Sequence, residues 1–130
     1  MLSMTKKAIA TEKAPAALGP YSQAISVNGT VYVSGQLPID PATGEFATTD
    51  IQGQTRQSLT NIQAILAEAG LDMSNVVKTT VLLDNIDDFA AMNEVYAEFF
   101  TGVTPARAAF EVAAIPKGAL VEIEAVAVEG

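Results

Sequence analysis

The stretch from Leu120 to Val128 alternates its side chains with a strict period of two. Successive side chains of a β-strand point to opposite faces of a sheet, so the pattern predicts a strand with one apolar face and one mixed face. A sheet that contains such a strand needs other elements to cover its apolar face. One face carries Leu120, Glu122, Glu124 and Val126, and the other carries Val121, Ile123, Ala125 and Ala127.

Two stretches with helical spacing can supply this cover. The first follows a Thr49–Gln52 match to a capping box and ends at Gly70. The second follows Asn85, a good capping residue, and ends at Gly102. Their apolar stripes are Ile51, Thr55, Leu59, Ile62, Leu66 and Ala69 in the first, and Phe89, Met92, Tyr96, Phe99 and Phe100 in the second. The glutamines of the first helix, Gln52, Gln54, Gln57 and Gln63, are predicted to form a solvated face.

The remaining regular segments are predicted to be strands. Asn28-Gly29, between two short β-branched runs, is the strongest short-range signal of a two-residue hairpin. Val76 to Leu83 predicts a central strand, and Thr104 to Val112 predicts another. The order is strand-strand-helix-strand-helix-strand-strand, with a short leading strand near Ala8–Ala10. This order predicts one α+β domain over residues 1–130, with two helices on one face of a mixed sheet.

The second face of this sheet would remain partly apolar. Small residues such as Ala109 and Ala113, and longer ones such as Leu120 and Val126, are expected there. An uncovered apolar sheet face predicts an oligomer whose subunits bury it against one another.

The composition excludes several kinds of chemistry. The chain has no cysteine, hence no thiolate nucleophile and no zinc–thiolate site, and no histidine, the usual general base and the commonest metal ligand. Its net charge of −8 opposes binding to nucleic acid or to an anionic membrane over the whole surface. No apolar run approaches the roughly 18 residues of a membrane helix, and the first residues resemble neither a signal nor a transit peptide. A cytoplasmic location is therefore expected.

Arg107 is the polar residue whose environment most needs an explanation. It has small or apolar neighbours, whereas the other arginine, Arg56, lies in a polar helical run. A guanidinium in apolar surroundings needs an anionic partner, because an unpaired buried charge costs several kcal/mol in order of magnitude. Its planar fork suits a carboxylate, held by two parallel hydrogen bonds. That partner is either a protein carboxylate or a ligand.

Two carboxylates are candidates for a site with this arginine. Glu122 and Glu124 share a face of the last strand, about 7 Å apart by the strand rise, and Arg107 is expected on a neighbouring strand. The group is either a functional site or a salt-bridge network on a solvated face.

Four further residues carry weaker signals. A backbone N–H at Ser34-Gly35 can donate to an anion, although glycines at strand ends often serve geometry alone. Tyr21, after Gly19-Pro20, either faces a pocket or packs. Asn93 lies within a helix, where its side chain is expected to have a partner in the backbone or in a ligand.

Taken together, the motifs resemble the Rid family (RidA/YjgF, reactive-intermediate imine deaminases) in collinear order from about Ala8 to Val128. The segments that carry the resemblance are Ala14-Pro15-Ala16-Ala17-Leu18-Gly19-Pro20-Tyr21-Ser22-Gln23-Ala24, Val33-Ser34-Gly35-Gln36-Leu37-Pro38, Gln57-Ser58-Leu59-Thr60-Asn61-Ile62, Val77-Lys78-Thr79-Thr80-Val81, Phe89-Ala90-Ala91-Met92-Asn93-Glu94-Val95-Tyr96, Pro105-Ala106-Arg107 and Val121-Glu122-Ile123-Glu124-Ala125-Val126-Ala127.

This resemblance implies a chorismate-mutase-like fold and a homotrimer. The subunits would pack their sheets into a central barrel and form three clefts between neighbours. It also implies hydrolysis of 2-aminoacrylate and related enamine or imine intermediates to 2-keto acids and ammonia, with no metal or organic cofactor. The implied partners are the other subunits and a small 2-imino or 2-keto acid, with neither nucleic acid nor membrane.

The resemblance also assigns roles to individual residues. Arg107 corresponds to the arginine that binds the substrate carboxylate, Glu124 to the acidic residue that positions water, and Gly35 to the backbone donor. Tyr21, Ser34 and Asn93 correspond to other residues that line the cleft. Many members carry a cysteine where this chain has Ala109, so a mechanism that needs this thiol is excluded.

Two functions of other classes use the same cleft. One is a non-catalytic module that binds a small 2-keto acid and regulates a partner. The other is a chaperone-like or translation-linked role.

Overall fold

The structure is a computed structural model and describes residues 5–130. Within that range the predicted order of helices and strands is confirmed, with an additional pair of two-residue strands between the first hairpin and the first helix. The elements are β1 (Lys7–Ile9), β2 (Ala24–Val27), β3 (Thr30–Gln36), β4 (Ile39–Asp40), β5 (Glu45–Phe46), α1 (Ile51–Glu68), β6 (Val76–Leu83), α2 (Phe89–Phe99), β7 (Ala106–Glu111) and β8 (Val121–Val128).

Six strands form one mixed sheet in the order β1-β2-β3-β8-β6-β7. All neighbours in this sheet are antiparallel except β6 and β7, which are parallel and are connected through α2. A parallel pair requires such a crossover, and a helix usually supplies it. The α+β class with a mixed sheet is therefore confirmed.

Both helices cover the same face of the sheet. The alternation predicted for β8 is confirmed, since Val121, Ile123, Ala125 and Ala127 are buried in the core beneath α1. The residue aligned with Ala125 on β6 is Thr79, whose side chain contacts Tyr96 of α2. Paired residues on adjacent strands point to the same face, so α2 covers this face as well.

The opposite face of the sheet carries no helix from the described part of the chain, and it keeps large apolar side chains exposed. Tyr32, Phe110 and Val128 are exposed there, and Val126 is half-buried, as predicted. Ala109 was predicted on this face, and that prediction is wrong: it is aligned with Val81 and packs against the covered core. The register of β7 with β6 sets this face, because Arg107 is aligned with Thr79 and Ala109 with Val81, and both β6 residues are buried on the covered side.

Local sequence signals explain most element boundaries. Asn28 and Gly29 adopt φ values of 50° and 78°, which is the left-handed backbone that a tight hairpin needs. Asp50, not Thr49, caps α1, because its carboxylate accepts a hydrogen bond from the Gly53 N–H at 2.8 Å. Asn85 caps a single 3₁₀ turn that leads into α2.

No helix within residues 5–130 combines the length and the apolar character that a membrane crossing requires.

Candidate active site

Arg107 lies on β7, at one edge of the sheet, and its side chain is on the face covered by α2. Its guanidinium Nη1 donates a hydrogen bond of 2.7 Å to the Asn93 side-chain oxygen. Its Cζ lies 4.7 Å from the centroid of the Tyr96 ring and 5.3 Å from that of Phe89. These distances allow cation–π attraction to both rings. We call Phe89, Asn93 and Tyr96 the arginine cage.

No carboxylate of the described chain pairs with this guanidinium. Within residues 5–130 the ion pair is that of Arg56 with Glu98, and the one hydrogen bond donated by Arg107 goes to the neutral Asn93. A half-buried guanidinium with a neutral partner keeps most of its donors available. Of the two partners that the sequence allows for Arg107, a carboxylate of the same chain is therefore absent from residues 5–130.

The other predicted site residues gather in a cleft of about 660 Å³ beside β3 and β8. Tyr21, Ser34, Gly35 and Glu124 all line it, as does Glu122. The Ser34 hydroxyl donates to the Ser22 carbonyl at 2.6 Å, which connects the strand to the loop that carries Tyr21. Lys117 is the basic residue among those that line this cleft.

Gly35 lies where the cleft meets Glu122. The pairing of β3 with β8 is irregular between Val33 and Gln36, and Gly35 lies in this irregularity. A Cβ at position 35 would overlap the Glu122 carboxylate, so the absence of a side chain is what lets that carboxylate lie against the β3 backbone.

The two glutamates of the cleft have different environments. Glu122 is half-buried, whereas Glu124 is exposed. Burial raises the pKa of Glu122 above its usual value of 4.5, and the negative charge of Glu124 raises it further. A carboxylate with a raised pKa is a stronger base, and such perturbed groups are common at functional sites.

We call the cleft that contains Glu122 and Glu124 the acidic cleft. The arginine cage and the acidic cleft do not meet within one chain. Strand β6 lies between β7 and β8, so these two strands are about 9–10 Å apart by ordinary strand spacing. Glu122 is aligned with Leu82 and faces the open side, while Arg107 faces the helices. The prediction that Arg107 and the two glutamates lie on neighbouring strands is therefore wrong, because the α2 crossover places β7 beyond β6.

Some polar residues near the cleft were not predicted. Asn61 of α1 is fully buried and donates to the carbonyls of Leu37, at 3.2 Å, and Ile39, at 2.9 Å. Gln54, predicted to be solvated, is buried and accepts a hydrogen bond from the Leu120 N–H at 2.8 Å. Both side chains fix the segments that enter and leave the cleft. Their only sequence signal was a polar residue at a position that the helical period places near the core.

Three comparisons place the chain among known proteins. The family model described as Endoribonuclease L-PSP matches residues 11–129. The goat (Capra hircus) protein named 2-iminobutanoate/2-iminopropanoate deaminase is 55% identical over 130 residues, which cover 100% of this chain and 95% of the goat protein. The human protein of the same name is 50% identical over 130 residues, with the same coverage of each chain.

A solved structure agrees with this relationship. The crystal structure of YyfA from Yersinia pestis, a protein of the Rid family, superposes with a TM-score of 0.94 at 51% sequence identity. The match covers 96% of this chain and 100% of the Yersinia chain. Family model, relatives and fold all agree with the motifs in the sequence, and the chain belongs to the Endoribonuclease L-PSP family, which includes the YjgF and Rid proteins.

Proposed function

We propose that this protein deaminates 2-imino acids by hydrolysis, since its goat and human relatives are named 2-iminobutanoate/2-iminopropanoate deaminase. The observation that carries the proposal is the state of Arg107. Its guanidinium is held by an amide oxygen and two aromatic rings, and no carboxylate of the described chain neutralises it. A planar cation in this state is suited to bind the carboxylate of a small organic acid.

A complete site in this proposal needs two chains. One chain supplies the arginine cage with Arg107, and its neighbour supplies the cleft with Gly35 and Glu122. Contacts between two different surfaces generate a closed ring when the rotation between neighbours closes, and the homotrimer that the sequence motifs imply is such a ring. The exposed Tyr32 and Phe110 on the open sheet face are the kind of apolar surface that such an assembly would bury.

The chemistry follows from the two halves. Arg107 would hold the substrate carboxylate by two hydrogen bonds, while the Gly35 N–H adds a donor. Tyr21, Ser34 and Asn93 would line the walls. Water attacks the imine carbon, and loss of ammonia from the resulting carbinolamine gives the 2-keto acid. The balance is one 2-imino acid and one water consumed, and one 2-keto acid and one ammonia formed.

Glu122 fits the water-positioning role better than Glu124, the residue predicted for it. Its carboxylate lies against Gly35 and is half-buried, and its pKa is raised. It can therefore accept a proton from the attacking water close to the backbone donor. Glu124 is exposed in the same cleft, and in this proposal its charge strengthens the basicity of Glu122.

The required catalytic effect is modest. Orientation of reactants contributes up to about 7–11 kcal/mol in the best intramolecular cases, and a positioned base contributes about 10²–10⁴-fold. Both effects are available from Arg107, Gly35 and Glu122 alone. The absence of a cofactor and a cytoplasmic location remain predictions.

The direct test generates 2-aminoacrylate with a serine dehydratase and measures pyruvate formation with and without the purified protein. Faster release of pyruvate and ammonia is the expected result. Binding of 2-oxobutanoate with no acceleration would favour the non-catalytic binding module. If the protein neither binds 2-oxobutanoate nor accelerates pyruvate formation, the chaperone-like role is favoured.

The two-chain site has its own test. Arg107→Lys and Glu122→Gln proteins, each nearly inactive, are unfolded together, refolded as a mixture and assayed. In randomly mixed trimers about one quarter of the clefts would combine an intact Arg107 with an intact Glu122, so activity should return to about one quarter of the wild-type value. A mixture that stays inactive would contradict a site shared between chains. The control is the doubly substituted chain mixed with either single variant, which should recover nothing.

A further inference from the structure

We infer that Tyr96, anchored by Thr79, is a positioning residue that fixes the plane of the Arg107 guanidinium for carboxylate binding. This inference rests on the proposed function, because it concerns how the same arginine is prepared for its ligand. Tyr96 has no direct role in the chemistry described above. The sequence pattern predicted it simply as part of a buried helical stripe.

The contacts of Tyr96 form a closed frame around the arginine. Its hydroxyl and the Thr79 hydroxyl are 2.7 Å apart in a buried hydrogen bond. Thr79 is in turn the residue aligned with Arg107 across the β6–β7 pair. The ring thus reaches from α2 back to the strand next to the arginine and lies 4.7 Å from its Cζ. Helix, ring, β6 and β7 together restrict where the guanidinium can lie.

The frame leaves the guanidinium few alternative orientations. Phe89, Asn93 and Tyr96 follow one another at helical spacings of four and three residues, which places them on one face of α2. Asn93 fixes one end of the fork through Nη1, and the centroids of the Phe89 and Tyr96 rings lie 5.3 and 4.7 Å from Cζ. An arginine that is already ordered loses less conformational entropy when a ligand binds.

The phenol of Tyr96 is also suited to this place. It is 7% exposed, and burial raises its pKa above the usual value of 10.0, against the opposing effects of Thr79 and the Arg107 charge. The ring therefore stays neutral and does not compete with a ligand carboxylate for the guanidinium. The centroid of the Phe100 ring lies 4.6 Å from that of the Tyr96 ring, and both rings belong to the hydrophobic core.

The test uses the fact that the chain has two arginines, Arg56 and Arg107. Their Nε–Hε signals are followed by NMR in the full protein, together with the Kd of 2-oxobutanoate. The Tyr96→Leu variant should move the Arg107 signal toward the position of Arg56, because the ring current is lost, and should weaken 2-oxobutanoate binding about tenfold. The Arg56 signal should stay in place. Phe99→Leu, which removes a partly buried ring of the same helix that pairs with neither Tyr96 nor Arg107, should change neither readout.

Two milder variants separate positioning from stability. Tyr96→Phe keeps the ring and Thr79→Val keeps the β-branched shape, but each removes one partner of the hydrogen bond. Each should weaken binding about two- to threefold, and the double variant should be no worse than either single one, because both remove the same anchor. Losses that multiply in the double variant would overturn the anchor.

Failure of this inference can be distinguished from failure of the proposed function. An unchanged Arg107 signal and an unchanged Kd in Tyr96→Leu would overturn the positioning role, whether or not the wild-type protein hydrolyses imines. If the wild-type protein does not accelerate pyruvate formation, but Tyr96→Leu loses both the ring-current shift and 2-oxobutanoate affinity, the proposed hydrolysis fails and the positioning role stands.

Discussion

The two arginines of the chain have the same side chain in opposite environments. Arg56 donates from both terminal nitrogens to the Glu98 carboxylate, at 3.1 and 3.0 Å, and the two side chains are 52% and 53% exposed. Arg107 is half-buried, donates to a neutral amide and contacts two aromatic rings. Arg56 thus has the bidentate carboxylate partner that the guanidinium geometry favours. Arg107 is positioned by neutral groups and lacks a carboxylate partner within residues 5–130.

This difference separates a structural arginine from a candidate ligand-binding one. An exposed ion pair contributes little to stability, and water can replace either partner. A half-buried cation held by neutral groups carries a desolvation cost that a ligand carboxylate can offset. The comparison therefore predicts a ligand-binding role for Arg107 from its lack of a carboxylate partner, and not from its being an arginine.

The largest effect should come from exchanging each arginine for lysine. Arg107→Lys should reduce kcat/KM for 2-iminopropanoate about 10³-fold, because an ammonium cannot form two parallel hydrogen bonds and the substrate loses its orientation. Arg56→Lys should leave kcat/KM unchanged. Both are measured in the dehydratase-coupled assay, with size-exclusion chromatography to confirm the same assembly. Normal turnover by Arg107→Lys would refute the carboxylate-binding role.

Glu122→Gln should reduce kcat about 10²-fold, at the lower end of the effect of a positioned base. In the wild-type protein kcat/KM should fall as the pH drops through the raised pKa of Glu122, because the base is then protonated. Glu124→Gln removes the charge that helps to raise this pKa, so the fall should move to lower pH. A pH profile of both variants checks this, and an identical profile in Glu124→Gln would contradict the coupling.

Asn93→Asp should make Arg107 resemble Arg56. The new carboxylate would lie where the Asn93 oxygen accepts from Nη1 at 2.7 Å, and it would compete with the substrate. We expect 2-oxobutanoate to bind about tenfold more weakly at neutral pH, and the loss should shrink at low pH as the new aspartate is protonated. Isothermal titration measures this, with Asn93→Ser as the uncharged control. Equal affinities for both variants would argue that charge at this position is irrelevant.

The smallest effect should follow from breaking the Arg56 ion pair. The hydrogen bond to Arg56 lowers the pKa of Glu98, so this pair adds stability above the usual Glu pKa and loses it as the pH falls through the lowered value. The Tm difference between wild type and Glu98→Gln should thus be small at pH 7, decrease with added salt and vanish in acid. A large difference that salt does not change would contradict the assignment of Arg56 as an exposed structural partner.

Much of the fold could be predicted from the sequence because its local signals agree with one another. The strand Val76–Leu83 has the predicted bounds, and the alternation of β8 gives its buried face correctly. The β4–β5 hairpin was missed because strands of two residues are too short for a period to appear. The capping residue of α1 differs by one position, since Asp50 and Thr49 are both good caps and geometry selects between them.

The candidate site could be predicted less completely, for a topological reason. Arg107, Gly35 and the glutamates are visible in the sequence, but the position of β7 beyond β6 is not, and it decides which of them can meet. Asn93 was predicted as a site residue, but the aromatic members of the arginine cage were missed, because Phe89 and Tyr96 at helical spacing indicate a core stripe equally well. The contact of Glu122 with Gly35 depends on a register shift in the pairing of β3 with β8, and no residue pattern in the sequence predicts this shift.

The arginine cage and Arg107 lie close together in the sequence, whereas the residues of the acidic cleft are far apart in it. Asn93 and Arg107 are 14 residues apart, and the single crossover from α2 to β7 builds the whole arrangement. The cleft, by contrast, joins β3 near the start of the chain to β8 at its end. Closing a short loop costs less entropy than closing a long one, so the cation-holding half can form as soon as α2 docks on β6. The acid-bearing half requires the C-terminal strand to be inserted between β3 and β6, and we expect this step to come later.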